Sequence, residues 1–147
     1  MGAAREGYVY ACNNLAAKEA ERIVSLGNTS PEDPDIEEHI LKYTDYLKLS
    51  ADKYEPYAAN RLGLFYLNGE IKSSSGKIAR RDHINFPLAK EYFKKATVYP
   101  DANSAWAFFN LIRYFHKDYE KNLDLLNEHM EYIKELNPEV YDLAIEL

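Results

Sequence analysis

The feature that most constrains the fold is a run of small, leucine and aromatic residues at helical spacing. In "YAANRLGLFYLNG", residues 57–69, Ala58, Leu62, Gly63 and Tyr66 follow the pattern A-x-x-x-L-G-x-x-Y-x-x-G. Such spacing places them on one face of an α-helix. A glycine inside a helix costs about 1 kcal/mol relative to alanine, so it needs a packing reason. The pattern therefore predicts a helix whose small residues let a neighbouring helix approach closely.

The same frame recurs once before and once after this run, in "YACNNLA" and "WAFFNLIRYF". The matching positions are Ala11, Leu15 and Ala16 in the first copy, and Ala107, Leu111 and Phe115 in the last, where Ile112 replaces the small residue. Each copy is followed by a second motif of tyrosine, an apolar residue and lysine, which begins at Tyr46, Tyr92 and Tyr132. A recurring pair of helical motifs is the mark of a repeat architecture. The Ala and Leu positions are expected to face the next helix.

These repeats predict an all-α fold in one domain, residues 1–147, built as a right-handed superhelical stack of about three helix-turn-helix repeats. The units cover roughly residues 8–53, 55–99 and 102–136, and a terminal helix covers 138–147. No strand is predicted, because no segment shows a clear alternation of apolar and polar residues.

Start and stop signals support this division. Ser30, with Asp33 three residues later, predicts a capping box for a helix that begins near Pro34 to Ile36. Pro56 and Pro87 are placed where a first helical turn tolerates proline, and Pro100 marks a stop.

The second unit resembles a known family. "A-x-x-x-L-G-x-x-Y-x-x-G" followed by "LAKEYFKKA" is similar to the Sel-one-like repeat, a branch of the tetratricopeptide superfamily of helix-hairpin solenoids. The match is good over residues 57–96 and degenerate in the first and third units. The loops "GNTSPEDPD" and "EIKSSSGKIARRDHINF" depart from the family pattern. The resemblance implies a right-handed superhelical scaffold for protein-protein contacts and no catalytic residue.

Composition excludes several classes of protein. A formal net charge of -6 disfavours nucleic acid as a partner, because phosphate binding requires clustered Lys and Arg. No apolar run approaches the roughly 20 residues of a membrane span, and the N-terminus lacks the apolar core of a signal peptide. The single Cys12 allows no internal disulfide and is expected to be a small buried residue. These features favour a cytoplasmic protein.

Stacked helix pairs leave an extended surface, and a row of residues beside the Ala and Leu face is the candidate binding site. It includes Tyr10 and Asn14 in the first unit, Tyr57 and Arg61 in the second, and Trp106, Asn110 and Arg113 in the third. One interpretation is a groove for an extended peptide, with aromatic rings giving contact area and Asn or Arg satisfying its backbone or a carboxylate. The other is packing between repeats, with solvated polar tips. A groove predicts that Trp106, Asn110 and Arg113 are solvent-accessible, and a spacer predicts that they are buried.

The long loop of the second unit is basic in an otherwise acidic chain. It carries Lys72, Lys77, Arg80 and Arg81, followed by His83. Loops on rigid scaffolds often carry function, so it is a candidate for docking an acidic partner segment. The alternative is a mobile, solvated insertion.

Signals of catalysis are missing from the sequence. His39, His83, His116 and His129 lie far apart without metal-ligand spacing, so neither a metal nor a cofactor is predicted. There is no glycine-rich phosphate loop and no G-x-S-x-G motif.

Two functions remain. The first is a non-catalytic scaffold that binds a peptide or protein through the concave face. The second is a structural or regulatory spacer, or a self-association module, of a larger protein. The segment "NPEVYDLAIEL" ends in apolar residues, so it either folds back on the third unit, precedes a further unit or forms a homodimer.

Overall fold

A computed structural model describes the backbone of residues 3–147 and the side chains of residues 6–147. Its helices are α1 (Ala3–Thr29), α2 (Asp35–Ala51), α3 (Pro56–Asn68), α4 (Phe86–Lys95), α5 (Ala102–Tyr114), α6 (Lys117–Glu120), α7 (Leu123–Leu136) and α8 (Pro138–Ala144). Strands β1 (Glu70–Ser73) and β2 (Gly76–Ala79) and a 3-10 turn, Arg81–His83, lie between α3 and α4. The protein is therefore predominantly helical, as the sequence predicts.

The helices pack as successive pairs. Helix α1 packs on α2, α3 on α4, and α5 on α7, and contacts of α2 with α3 and of α3 with α5 join neighbouring pairs. A continuous cluster of buried side chains runs through all of them. Helix α8 folds back on α5 and α7, where Val140 and Ala144 are buried. The predicted pairing of helices is thus present in the structure.

The close packing of Phe93 on α3 explains why residue 63 is a glycine. A Cβ atom on Gly63 would lie 2.5 Å from Cδ1 of the fully buried Phe93 on α4. That separation is far inside van der Waals contact. Only glycine lets the ring of Phe93 lie directly on the backbone of α3, and so brings α3 and α4 close together.

Side-chain caps fix most of the helix starts. Pro56 stands in the first turn of α3, and the preceding Glu55 caps the helix. Asp101 and Ser104 form a capping box at α5. The predicted capping box at Ser30 is wrong, although α2 does begin inside the predicted interval. Ser30 instead lies in the turn before α2, where its carbonyl accepts a hydrogen bond from the backbone N–H of Asp33.

The loop of the second unit contains a β-hairpin, so the prediction of no strand is wrong. Strands β1 and β2 are antiparallel, and Ile71 is paired with Ile78. Ile71 is completely buried, and Ile78 packs against Gly27 of α1. Gly69, at φ +78°, supplies the left-handed residue that ends α3 and turns the chain into β1. The hairpin lies against α1, which excludes a freely solvated insertion for these residues.

Polar contacts hold both ends of the hairpin. At its turn, the hydroxyls of Ser74 and Ser75 donate to Glu21 of α1, and these hydrogen bonds lower the pKa of that carboxyl. Beyond β2, Arg80 and His83 contact the Glu37 carboxylate of α2 at 3.2 and 2.9 Å. Burial raises the pKa of Glu37, but these two hydrogen bonds leave it below its usual value. The hairpin is therefore pinned to two helices.

The predicted register of the first repeat copy is wrong by one residue. Ala11 and Leu15 are exposed, whereas Cys12 and Ala16 are buried. The buried stripe of α1 is Val9, Cys12, Ala16, Ala20, Ile23 and Val24. Since the buried Cys12 and Ala16 each lie one residue after the expected Ala11 and Leu15, the pattern from α3 does not transfer directly to α1. Cys12 is buried, as predicted.

An aromatic cluster between α5, α6 and α7 surrounds His129. Its Nδ1 lies 2.9 Å from the hydroxyl of Tyr119, and its ring packs on Phe108 with centroids 4.7 Å apart. Burial lowers the pKa of His129, although the neighbouring Glu128 acts in the opposite direction. Burial therefore favours the neutral imidazole, which shares a hydrogen bond with the hydroxyl of Tyr119.

This cluster predicts that acid destabilises the protein through His129. The folded state binds a proton less readily than the unfolded chain, so stability falls as the pH drops below about 6.5 and levels off below the folded pKa. Urea unfolding at about pH 7.5 and pH 5.5 should show a smaller loss for His129→Gln than for the parent protein. His116→Gln, at an exposed position, is the control and should behave like the parent. An equal loss in parent and His129→Gln contradicts the assignment.

Candidate binding cavity

A cavity of about 290 Å³ lies where α1, α3 and the hairpin meet, and we call it the α1–α3 cavity. Helix α1 contributes the small residues Ala16, Ala17 and Ala20, and α3 contributes Tyr57 and Arg61. Tyr43 and Leu47 of α2 line it as well, and Lys72, Ser73 and Ser74 of the hairpin form another wall. The cavity exists because α1 presents methyl groups here instead of larger side chains.

The N-terminus of α3 orients Asn13 of α1. The Glu55 carboxylate accepts hydrogen bonds from the backbone N–H groups of Tyr57 and Ala58 at 3.0 and 2.7 Å. It also accepts one from Nδ2 of Asn13 at 3.1 Å. Because an ionised carboxylate only accepts, the amide nitrogen must face Glu55. Oδ1 of Asn13, which points the other way, is buried and has no hydrogen-bond partner among the described residues.

Arg61 is the principal charge of the cavity. Its side chain is only 12% exposed, and within the described part of the chain its buried Nη2 has no hydrogen-bond partner. The nearest carboxylate oxygen, Oε2 of Glu70, is 3.9 Å away, which is beyond hydrogen-bond distance. Burial raises the pKa of the neighbouring Tyr43, and the Arg61 guanidinium opposes this effect. The guanidinium therefore keeps one buried donor, Nη2, without a partner among the described residues, which carries a desolvation cost.

The candidate residues of the first two units divide between the cavity and the open surface. Tyr57, 43% exposed, and Arg61 line the α1–α3 cavity. Tyr10 and Asn14 are exposed on α1 but do not line the cavity. Asn13 lines it instead of the predicted Asn14.

The residues predicted in the third unit do not extend the same wall. Trp106 is 40% exposed and packs edge-on against Phe109. Asn110 is 6% exposed, which disagrees with the groove prediction and agrees with the spacer prediction, and its Nδ2 donates to Oδ1 of Asn60 at 3.2 Å. Arg113 is exposed over the ring of Tyr114. The buried pair of amides joins α3 to α5, so it serves packing between units.

Of the basic residues in the hairpin region, one lines the α1–α3 cavity and the others lie elsewhere. Lys72 lines the α1–α3 cavity, while Lys77 and Arg81 face a separate shallow pocket that Glu70 also borders. Arg80 is engaged by Glu37 and by the carbonyl of Pro31. Only Lys72 therefore adds to the charge beside Arg61.

The sequence did not predict four residues at or beside the site: Asn13, Tyr43, Glu70 and Ser74. Asn13 was hidden by the register error in α1. Tyr43 lies on the second helix of the first unit, where the repeat pattern marks no binding position. Glu70 and Ser74 belong to the hairpin. Their placement follows from the pairing of β1 with β2, which the short apolar pattern did not reveal.

Other reactive groups are used structurally. Cys12 is buried, and the nearly buried Glu19 is held by His39 at 2.6 Å and Arg22 at 2.9 Å. Across the described ranges, no group of three or more His, Cys, Asp or Glu side chains is placed to hold a metal ion. No described helix combines the length and apolarity needed to cross a membrane.

No protein-family model, curated protein or solved structure matches the chain. The similarity to the Sel-one-like repeat therefore remains a prediction from the motifs of residues 57–96.

Proposed function

We propose that this protein is a non-catalytic interaction scaffold that binds an extended segment of a partner protein in the α1–α3 cavity. The helix pairs stack as a right-handed superhelix in this proposal, and the cavity opens on its concave face. A cytoplasmic location, favoured by the single cysteine, completes the proposal. The observation that carries it is one cavity with an accessible aromatic ring, Tyr57, beside an incompletely satisfied guanidinium, Arg61.

Size and chemistry of the cavity suit a peptide. A space of about 290 Å³ holds several water molecules, so it admits a side chain of a docking segment. Rigid aromatic residues at the rim give contact area at low entropic cost, and such anchors dominate binding energies. Alanines on the opposite wall leave the backbone of the segment room to approach.

Selection from a random-peptide display library tests this function. We expect the parent protein to enrich peptides that bind Tyr57→Ala about tenfold or more weakly, because the variant removes the rim anchor. Tyr10→Ala is the matched control, since Tyr10 also precedes a repeat alanine and is 70% exposed, but lies outside the cavity. Equal affinities for Tyr57→Ala and the parent, with both folded by circular dichroism, refute the proposed site.

The alternative function, a spacer or self-association module, has its own supporting observation. Leu143, Ile145 and Leu147 are about half exposed beside a cleft of about 590 Å³ formed by α5, α7 and the C-terminal residues. An apolar surface of this kind favours a homodimer. Sedimentation equilibrium of the parent and an Ile145→Glu variant separates the two functions, because only self-association predicts a dimer that the variant dissociates.

A further inference from the structure

We propose that a second copy of this chain docks at two adjacent clefts beside His116, so that each copy covers the exposed apolar surface of the other. This assignment rests on the self-association given above as the alternative function, because it names the two surfaces that meet. It does not involve the α1–α3 cavity, so peptide binding and dimer formation are tested separately.

The first surface lies at the cleft of about 590 Å³ between α5, α7 and the C-terminal residues. Ile145 and Leu147 line this cleft and are exposed. Asp142 and Glu146 are exposed beside them, and neither carboxylate forms an ion pair with a described residue. We call residues 142–147 the acidic edge.

The acidic edge belongs to the most acidic part of the chain. Residues 123–147 contain seven Asp and Glu residues and one Lys, which gives a net charge of -6. The formal net charge of the whole chain is also -6, so the charges of residues 1–122 balance. Exposed apolar side chains in such a segment fit a surface that is both apolar and positively charged.

The second surface is a cleft of about 540 Å³ where α3, α4, α5 and α6 meet, and we call it the aromatic cleft. The exposed rings of Phe86 and Tyr114 line it. Lys90 lies 2.6 Å from the Asp118 carboxylate, so these two charges neutralise each other within the cleft. Lys117 also lines the cleft and is exposed. The aromatic cleft therefore combines apolar area with a positive charge.

The charges that flank the two surfaces are complementary. Lys117 has no ion-pair partner among the described residues, and the same is true of the exposed Arg113, which lies over the ring of Tyr114. The acidic edge supplies two carboxylates, those of Asp142 and Glu146. Opposite charges around matching apolar patches steer association and fix the register of an interface.

The position of His116 indicates why a second copy fits both surfaces. His116 lines both clefts, so they lie side by side on one molecule. In a two-fold dimer both subunits use the same patch, and each contact occurs twice. A two-fold axis near His116 sets each acidic edge against the aromatic cleft of the other copy. Both apolar surfaces are then covered, and the assembly stops at a dimer.

Charge reversal tests this pairing by sedimentation equilibrium. One variant carries Arg113→Glu with Lys117→Glu, and the other carries Asp142→Lys with Glu146→Lys. Each variant alone should dimerise about tenfold or more weakly than the parent, because like charges meet at both contacts. An equimolar mixture should dimerise about tenfold or more tightly than either variant, because every contact of the mixed dimer joins opposite charges.

Two further variants separate charge from apolar contact. Lys18→Glu with Lys42→Glu makes the same change in net charge as the cation reversal, at exposed positions of α1 and α2 outside both clefts. This control should dimerise within about twofold of the parent in 0.15 M salt, which screens distant charges. Phe86→Ala removes an exposed ring of the aromatic cleft and should weaken the dimer about fivefold or more. Circular dichroism checks that every variant is folded.

Several outcomes overturn the proposal. A parent that stays monomeric at its highest soluble concentration shows that a second copy does not cover the clefts. Parent-like dimerisation of Phe86→Ala or of either charge-reversed variant, or a mixture no tighter than its components, contradicts the pairing of these surfaces. Species that grow beyond a dimer with concentration contradict the two-fold arrangement.

Failure of this inference differs from failure of the functions proposed above. A dimer that Ile145→Glu dissociates, but that Phe86→Ala and the cation reversal leave intact, refutes the aromatic cleft and leaves self-association standing. A monomeric parent refutes both of these and leaves the scaffold function standing, because Tyr57 and Arg61 lie in neither cleft.

Discussion

Phe93→Ala is expected to lower the free energy of unfolding by about 3–5 kcal/mol. Phe93 is fully buried on α4, lies on the backbone of Gly63, and contacts the ring of Phe115 with centroids 6.4 Å apart. Truncation leaves a cavity between the second helix pair and the end of α5, and Gly63 has no side chain to fill it. A loss of this size is a large fraction of the roughly 5–15 kcal/mol of a typical domain.

Urea unfolding followed by circular dichroism measures this loss. Phe86→Ala is the matched control, because Phe86 lies at the start of the same helix but is 57% exposed. Its effect should stay within about 0.5 kcal/mol, as for most surface substitutions. Similar losses in the two variants would show that Phe93 is not the contact that holds α3 and α4 together.

Gly63→Ala should also destabilise, by about 1–3 kcal/mol, although alanine is the better helix former. The new Cβ would lie within 3.0 Å of three atoms of the Phe93 ring, so α4 must move away or the ring must leave its position. Gly7→Ala is the control, because no described atom beyond its chain neighbours and the local backbone of its own helix lies within 4 Å of the position its Cβ would take. That variant should gain up to about 1 kcal/mol from helix propensity alone.

Combining the two substitutions tests whether they act through one contact. In Gly63→Ala with Phe93→Ala, the added methyl group occupies part of the space that the ring leaves. The double variant should therefore lose less stability than the two single losses added together, by about 1 kcal/mol or more. Additive losses would mean that Gly63 is constrained by something other than Phe93.

Helices α3 and α4 were predictable from sequence because their contact is local and chemically specific. Gly63 and Ala58 lie on one helix face, Pro56 and Pro87 mark first turns, and the structure places these residues where the pattern puts them. A motif of small residues at helical spacing has few alternative structures. The pairing of the second unit could thus be read from the chain alone.

The hairpin was not predictable because its signal is too short. Each strand has four residues and only one inward apolar side chain, Ile71 or Ile78. Alternation needs more positions than this to be distinguished from a polar loop. The hairpin is stabilised instead by tertiary contacts with Gly27 and Glu21 of α1, which are distant in sequence.

The candidate site was predicted only in part for a related reason. Tyr57 and Arg61 follow from the well-defined register of α3. Asn13 depends on the register of α1, where the buried stripe is shifted by one residue relative to the motif. A one-residue shift rotates a helical position by about 100°, which moves Asn14 to the surface and Asn13 to the cavity. The burial of Asn110 could not be predicted from its own helix either, because it depends on a contact with Asn60 of another helix.

The most direct test of the scaffold proposal is to map where a selected peptide binds. Amide and side-chain NMR shifts should be recorded while a peptide enriched by the parent protein is titrated into it. The proposal predicts that the largest shifts fall on Asn13, Ala17, Tyr57, Arg61 and Lys72, around the α1–α3 cavity. Shifts confined to the exposed C-terminal residues or to the outer face of α4, or the absence of any enriched peptide, would contradict it.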